Sequence, residues 1–144
     1  MHRIQRNCLI VGALALAMAG APALAGTVVI VSANSPVKSL GKDDAAALYL
    51  GKTTSLPGGG NAKLFDLVDS SPLREKFYQA ATGKSASQVK SVWSRLVFSG
   101  RAVPPKELAD AAAVVKAVAA DPSAVGYVDS SAVNGSVRAV LQLP

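Results

Sequence analysis

One stretch of the chain combines residue types that favour the binding of an anion: two serines, a proline and an arginine follow a short apolar run at 70–74. Ser71 suits the N-cap of a helix, and Pro72 suits its first position, where a missing N–H costs nothing. A helix N-terminus presents unpaired N–H groups and the positive end of its dipole. Arg74, in the first turn, can add a bidentate fork of donors. The stretch therefore predicts an oxyanion site, although Ser-Pro is also an ordinary helix start that binds nothing.

Two acidic residues precede this stretch. Asp66 and Asp69 are three positions apart and could share a site as paired acids. The simpler interpretation is one solvated carboxylate and one capping carboxylate, because acids are common in and just before first turns.

The chain lacks the side chains that most catalytic and metal sites use. His2 and Cys8 are its only histidine and cysteine, and both lie in the first 25 residues. Without them, nucleophile and base pairs cannot be built, and a transition-metal site has neither imidazole nor thiolate. We therefore expect no catalytic residues, no metal and no cofactor. A hydrolase is disfavoured because no general base stands out.

Several short motifs imitate known sites without their context. Gly51-Lys52-Thr53 and Gly83-Lys84-Ser85 end like phosphate loops, but both follow predicted helices instead of strands. Ser-x-x-Lys occurs at 35–38, 39–42 and 87–90 without the partner motifs of penicillin-recognising enzymes. Asn134-Gly135-Ser136 is a formal glycosylation sequon, and its simpler role is a hairpin turn.

Residues 1–25 have the features of a cleavable signal peptide. A basic start is followed by the apolar run 8–20 and by Ala23-Leu24-Ala25, a small-x-small cleavage site. The run is too short to span a bilayer comfortably, and no later segment approaches the roughly 20 apolar residues required. We expect an exported protein, periplasmic or secreted and not integral to a membrane, that begins near Gly26.

The charge is mildly positive. Loss of Arg3 and Arg6 with the leader lowers the formal charge from +6 to +4. The cations are scattered and the few aromatic residues do not interleave with them, so we expect no nucleic-acid partner. The balance suits a small anionic ligand or an anionic surface.

The hydropathy pattern predicts one three-layer α/β domain over residues 26–144. The β-branched run 27–31 is typical of a strand buried on both faces of a parallel sheet. Further strands are predicted at 64–68, 124–128 and 137–141, the last two joined by Asn134-Gly135. Helices are predicted at 42–50, at 72–82, after a Ser85/Gln88 capping box, and from Pro104-Pro105 through Ala120.

The helix after Ser85 carries an apolar stripe at core-facing spacing: Val89, Val92, Trp93, Leu96 and Val97. We assign Trp93 and Phe98 to the core in preference to ligand stacking. Arg95 falls on the polar side, where a solvated charge is the simpler interpretation. The sequence does not decide whether Arg101 is a solvated charge or a functional residue.

Three segments, in order along the chain, resemble motifs of periplasmic phosphate-binding proteins. The segment 39–54 resembles their "Ser-Leu-Ser-Lys-(Asp/Glu)…Phe-x-Gly-Lys-x-Thr" region, and 70–77 resembles their "Gly-Ser-Gly-Thr-Arg-Glu-x-Phe" anion site. The segment 121–128 is similar to their "(Asp/Asn)-Pro-x-Ala-Ile-Gly-Tyr" strand. The chain most resembles the short, single-domain proteins called phosphate transporter substrate-binding-like.

This resemblance implies a fold of the type II periplasmic-binding-protein-like kind: a mixed sheet flanked by about four helices. It implies a non-enzymatic, exported solute-binding protein for phosphate or a related oxyanion, associated with an ABC transporter. The alternative is an interaction module that keeps the fold but recognises an envelope protein, since Pro72-Leu73 replaces the family's Gly-Thr. The implied ligand residues are Ser70, Ser71, Leu73 and Arg74, with Ser32 and Asn34 as weaker candidates.

Overall fold

A computed structural model describes residues 26–144, so the expected leader lies outside the described residues. The described part contains β1 (Thr27–Ser32), β2 (Lys63–Leu67), β3 (Lys106–Leu108), β4 (Ala124–Asp129) and β5 (Val137–Gln142). Its α-helices are α1 (Lys42–Tyr49), α2 (Pro72–Thr82), α3 (Ala86–Phe98) and α4 (Ala111–Ala119), and a 3-10 turn spans Ser130–Ala132. None of these helices is long and apolar enough to cross a bilayer.

The five strands form one mixed sheet in the order β3-β2-β4-β1-β5. β2 runs parallel to both β3 and β4, whereas β1 runs antiparallel to both β4 and β5. All six residues of β1 are buried, as its sequence predicts. The prediction that β1 lies in a parallel sheet is wrong, because both of its neighbours are antiparallel to it. A continuous β-branched run reports burial on both faces, and an antiparallel strand covered on both faces gives the same signal.

Helices cover both faces of the sheet, which confirms the predicted layers. Gly126 and Tyr127 are consecutive on β4 and therefore face opposite sides. A Cβ placed on Gly126 would lie 2.6 Å from the Val114 side chain of α4, so glycine permits that helix to approach closely. On the other face the ring of Tyr127 stacks on Phe77 of α2, with 3.8 Å between ring centroids.

The start of α2 and the start of α3 match their sequence signals. α2 has Ser71 at the N-cap, proline at its beginning and left-handed Gly83 after its last turn. The Ser85 hydroxyl of α3 accepts a hydrogen bond from Gln88 N (3.1 Å), and the Gln88 side chain accepts one from Ser85 N (2.9 Å). These hydrogen bonds are local, so a short segment of sequence is enough to specify them.

The fourth helix begins later than predicted. Residues 106–108, assigned from sequence to its first turns, form β3 and pair in parallel with Phe65–Leu67. Asp110 then caps α4, its side chain accepting a hydrogen bond from Ala113 N at 2.8 Å. The prolines at 104 and 105 therefore precede a short edge strand, a position where their missing N–H groups are tolerated.

The predicted hairpin is also wrong. β4 and β5 both pair with β1 and lie on opposite sides of it, so Asn134-Gly135 does not join neighbouring strands. The local turn is present, because the Asn134 side chain accepts a hydrogen bond from Ser136 N at 2.9 Å. The side chain closes the turn in the way that asparagine commonly does.

The end of α3 departs from its predicted core stripe. Trp93 is buried as expected, and its indole N–H donates to the Tyr49 carbonyl at 2.8 Å. Phe98, by contrast, is 96% exposed and Val97 is 47% exposed. The last turn of α3 thus extends beyond the elements that cover its first turns, and the assignment of Phe98 to the core is wrong.

Candidate functional site

The start of α2 lies just beyond the carboxyl end of β2. Ser70 is exposed, Ser71 and Leu73 are half-buried, and Arg74 is 5% exposed. The hydroxyl of Ser71 makes no capping hydrogen bond to the helix. The backbone N–H of Arg74 donates to the Ser71 carbonyl at 3.2 Å. Ser70, Ser71, Leu73 and Arg74 therefore lie together at the start of α2, where the Ser71 hydroxyl is not used as a cap.

Arg74 directs its guanidinium back toward β2 and the neighbouring β3. Its Nη1 donates to the Leu67 carbonyl (2.8 Å) and to Glu107 Oε1 (2.8 Å), and lies 3.0 Å from Asp69 Oδ1. Its Nη2 lies 3.8 Å from Asp66 Oδ2, beyond hydrogen-bonding distance. Its buried Nε has no hydrogen-bond partner among residues 26–144. Nη1 is thus engaged by three oxygens, whereas Nε and Nη2 retain N–H groups without a hydrogen-bond partner among these residues.

Asp66 lies in the protein interior next to Arg74 and connects the elements around it. The side chain is buried and accepts hydrogen bonds from the hydroxyls of Tyr78 (2.5 Å) and Tyr127. The backbone N–H of Leu67 also donates to Asp66 Oδ1, at 2.8 Å. A buried carboxylate needs such donors and a nearby opposite charge, which Arg74 supplies. Asp66 therefore fixes β2, α2 and β4 around the guanidinium.

Neither interpretation of Asp66 and Asp69 from the sequence, as paired acids or as one solvated and one capping carboxylate, describes the structure completely. Asp66 is neither solvated nor a cap, and the tyrosines, not Asp69, are its close partners. Asp69 is 58% exposed and binds Lys90 Nζ at 2.7 Å as well as Arg74. The hydrogen bond from Lys90 and the charge of Arg74 lower the pKa of Asp69. Asp69 therefore remains an anion at neutral pH.

Tyr78 and Tyr127 bind Asp66, and the third tyrosine of the chain, Tyr49, packs against both of their rings. Burial, followed by the charge of Asp66, raises the pKa of Tyr49, Tyr78 and Tyr127 well above the ordinary value of about 10. We expect the native protein to show no tyrosinate absorbance until at least about one pH unit above that value. The unfolded state loses its tyrosine protons at a lower pH than the folded state, so the free energy of unfolding falls as the pH rises above about 10. Ionisation is therefore expected to release about three protons together with unfolding.

Absorbance near 295 nm and far-UV circular dichroism, followed together through an alkaline titration, check this expectation. A urea-unfolded sample provides the control, since its tyrosines should titrate near pH 10. A native tyrosine that ionises near pH 10 with the circular dichroism unchanged would contradict the buried arrangement.

A cleft of about 430 Å³ opens beside Arg74. Its charged lining comprises Asp66, Arg74, Lys90 and Glu107, and Asp69 lies against two of these. The apolar lining comes from α3 and from the segment before β3: Trp93, Val97, Phe98, Pro104 and Pro105. With three carboxylates against two cations, the cleft does not carry a positive surplus. An incoming anion must therefore compete with protein carboxylates.

Two weaker candidates lie elsewhere. Val31, near the end of β1, and Leu64, near the start of β2, both pair with Val125. Ser32 and Asn34 therefore lie at the end of the strands where β2 begins, whereas α2 starts at the other end, where β2 finishes. The Ser32 hydroxyl is buried, donating to the Ala119 carbonyl (3.3 Å) and accepting from Asn34 N (3.2 Å). The structure does not bring either residue to Arg74.

Four important residues of this site were not identified from sequence. Tyr78 lies one helical turn after Arg74, and that i, i+4 spacing could have placed the two on one face. Tyr127, Lys90 and Glu107 reach the site only through sheet order and helix packing. In the described residues, no group of three or more acidic, histidine or cysteine side chains is arranged to hold a metal.

A mixed sheet covered on both faces by helices is a fold that this chain shares with two solved proteins of phosphate transport. The chain is similar to a Clostridium perfringens protein described as a phosphate ABC transporter substrate-binding protein and solved with bound phosphate, with a TM-score of 0.65 and 22% identity. It is also similar to an ABC-type phosphate transport receptor from Vibrio cholerae, with a TM-score of 0.63 and 18% identity. Each similarity covers 81% of this chain.

This chain spans less than half of those two proteins, covering 44% and 45% of their lengths. At these sequence identities the likeness establishes the shared fold. No family model matches the sequence, and no curated protein shows significant similarity to it.

Proposed function

We propose that the chain is a non-enzymatic protein that binds phosphate or a related oxyanion at the start of α2. The observation that carries this proposal is the buried guanidinium of Arg74 near the helix N-terminus, whose Nη1 is held by two exposed carboxylates that an anion can replace. Proteins that share the fold are described as phosphate-binding or phosphate transport proteins, which supports the same assignment. The proposal concerns binding alone and involves no covalent step.

Asp69 and Glu107 indicate where the anion would sit. A carboxylate is itself an oxyanion, and both of these already contact Arg74 Nη1. Their side chains are 58% and 47% exposed, so they can rotate into solvent at modest cost. Phosphate would take their place on Arg74 and accept further hydrogen bonds from the hydroxyls of Ser70 and Ser71.

The affinity is expected to be weak. The ligand competes with two carboxylates and stays partly in water, where charged hydrogen bonds contribute less than in a closed site. We expect a Kd in the micromolar to millimolar range, which corresponds to roughly −8 to −4 kcal/mol.

Isothermal titration with phosphate and with sulfate tests the proposal. Arg74→Ala is expected to weaken phosphate binding by at least about tenfold, because a charged hydrogen bond contributes about 1.5–3 kcal/mol. Arg95→Ala is the matched control, since Arg95 is exposed on α3 and does not line the cleft at Arg74.

Ser71→Ala guards against misfolding of the Arg74 variant, because its hydroxyl makes no capping bond. We expect a smaller loss of affinity for this variant with unchanged circular dichroism. Absence of heat at millimolar phosphate, or equal binding by wild type and a folded Arg74→Ala variant, would refute oxyanion binding at α2.

We further propose that the protein is exported to the periplasm or medium and works with an ABC transporter permease. The signal-like sequence of residues 1–25 supports export, and mass measurement of the exported protein, expected to begin at Gly26, tests it.

An interaction module is the second candidate, and one observation favours it. Phe98 is 96% exposed and Val97 is 47% exposed, and both border the cleft that contains Arg74. Exposed apolar side chains grouped at a cleft are typical of a binding surface for another protein. A stoichiometric envelope partner that binds wild type but not Phe98→Ser would favour this function.

A further inference from the structure

A second and larger cleft lies next to the one that contains Arg74. It has a volume of about 1120 Å³ and is bordered by the segment after α1, the start of β2 and the segment before β3. Trp93, Pro104 and Pro105 border both clefts and so separate them. This second cleft plays no part in the function proposed above.

The charge of this polyanion cleft, as we name it, is strongly one-sided. Its lining includes four cations, Lys52, Lys63, Arg101 and Lys106, and a single carboxylate, Asp121. Asp121 pairs with Lys63 at 3.3 Å. The other three cations form no ion pair with any residue in 26–144. A concave surface lined by one sign of charge concentrates ions of the opposite sign.

The two clefts therefore divide the charge unequally. The lining of the cleft at Arg74 holds two carboxylates and two cations, with Asp69 beside them, whereas the polyanion cleft has a formal surplus of three positive charges. An anion that carries several charges gains most from the second cleft, where it displaces no protein carboxylate from the three free cations.

The walls of the polyanion cleft are held in place by packing and backbone hydrogen bonds. Gly51 has a φ of +70°, and a Cβ added to it would lie 2.4 Å from the Leu96 side chain, so the chain turns tightly against α3. The following Lys52 N–H donates to the Ala47 carbonyl at 2.9 Å. Trp93, at the border, is fixed by its hydrogen bond to Tyr49.

Neutral groups add a second kind of contact. Thr53, Thr54 and Asn61 contribute hydroxyls and an amide, which can donate to anionic oxygens. Leu64 and Phe65 contribute apolar surface. A pocket with apolar walls and a few polar groups is the usual form of a small-molecule site.

From this arrangement we propose that the polyanion cleft binds a small polyanion, a molecule with at least two phosphate or carboxylate groups. The cleft is much larger than a single phosphate, and its cations come from three separate segments of the chain. A single phosphate would reach only part of this set, whereas a molecule with spaced anionic groups can contact several of the cations at once.

Titration with inorganic tripolyphosphate tests the proposal, with fluorescence of Trp93 as the signal. Trp93 is the only tryptophan of the chain and borders the cleft, so the wild-type protein needs no label. The triple variant Lys52→Gln, Arg101→Gln, Lys106→Gln removes the unpaired cations. We expect about a two- to fivefold loss of affinity for each charge removed and at least about tenfold for all three.

The control variant Lys38→Gln, Lys42→Gln, Lys84→Gln removes the same net charge from exposed positions outside the cleft. We expect it to weaken tripolyphosphate binding by less than about threefold. Equal losses in the two variants, or no binding by wild type at millimolar tripolyphosphate and low ionic strength, would overturn the proposal.

Orthophosphate titration keeps this inference separate from the proposed function. The triple variant retains Arg74 and Ser71, so its affinity for orthophosphate is expected to stay within about threefold of wild type. Loss of tripolyphosphate binding with orthophosphate binding retained supports the polyanion cleft. If instead Arg74→Ala abolishes binding of both ligands while the triple variant binds both normally, tripolyphosphate occupies the start of α2 and the polyanion cleft is refuted.

Discussion

Replacement of Asp66 with alanine is expected to destabilise the protein by about 3–5 kcal/mol, the range measured when one partner of a buried charged pair is removed. The carboxylate is buried and accepts from two tyrosine hydroxyls and a backbone N–H. Its loss leaves these donors unsatisfied and leaves Arg74 without its buried counter-charge.

Single removal of either tyrosine hydroxyl should cost less. Tyr78→Phe and Tyr127→Phe each remove one donor and keep the ring, so about 1–2 kcal/mol is expected for each. The aromatic packing around them, including the stack of Tyr127 on Phe77, is preserved. The ranking of Asp66→Ala above both tyrosine variants follows from its place at the centre of the network.

Urea unfolding followed by Trp93 fluorescence and far-UV circular dichroism measures these differences. Asp43→Ala is the matched control, because Asp43 is exposed in the first turn of α1 and should cost under about 1 kcal/mol. A loss below about 1 kcal/mol for Asp66→Ala would mean that the carboxylate is not the anchor of the site.

Removal of the carboxylates that contact Arg74 is expected to strengthen phosphate binding. For Glu107→Gln and for Asp69→Asn we expect about a two- to fivefold lower Kd each, and about tenfold for the double variant. Each substitution removes a competitor for Nη1 and a negative charge beside the ligand. Asp69→Asn also releases the ammonium of Lys90, which lines the same cleft.

The opposite result would be equally informative. Unchanged affinity in the double variant, measured by isothermal titration at fixed ionic strength, would place the phosphate away from Nη1. Asp43→Asn serves as the control for net charge, because Asp43 is exposed and neither lines the cleft at Arg74 nor pairs with Arg74. Weaker binding in the double variant would indicate that the carboxylates hold Arg74 in its binding position.

The elements predicted well from sequence are those whose signals are local. Ser71 and Pro72 begin α2, and the reciprocal Ser85/Gln88 hydrogen bonds begin α3, because every group involved lies within four residues. The burial of β1 followed from its β-branched composition. Strand direction did not, since it depends on partners far along the chain.

The candidate site was predicted only in part for the same reason. Ser71 and Arg74 are adjacent in sequence and were identified together. Glu107 reaches Arg74 only because β3 pairs beside β2, and residues 106–108 carry no strand signal of their own. Phe98 was misplaced because helical spacing predicts which face is apolar, and does not reveal where the covering elements end.

The position of β1 has a consequence for biogenesis. This first strand has partners only in β4 and β5, the last two strands of the described chain. The centre of the sheet cannot close until the C-terminal strands have been translated, and contacts between such distant parts of a sequence form slowly. A nascent chain of this topology therefore lacks the central strand pairs of its sheet through most of its synthesis.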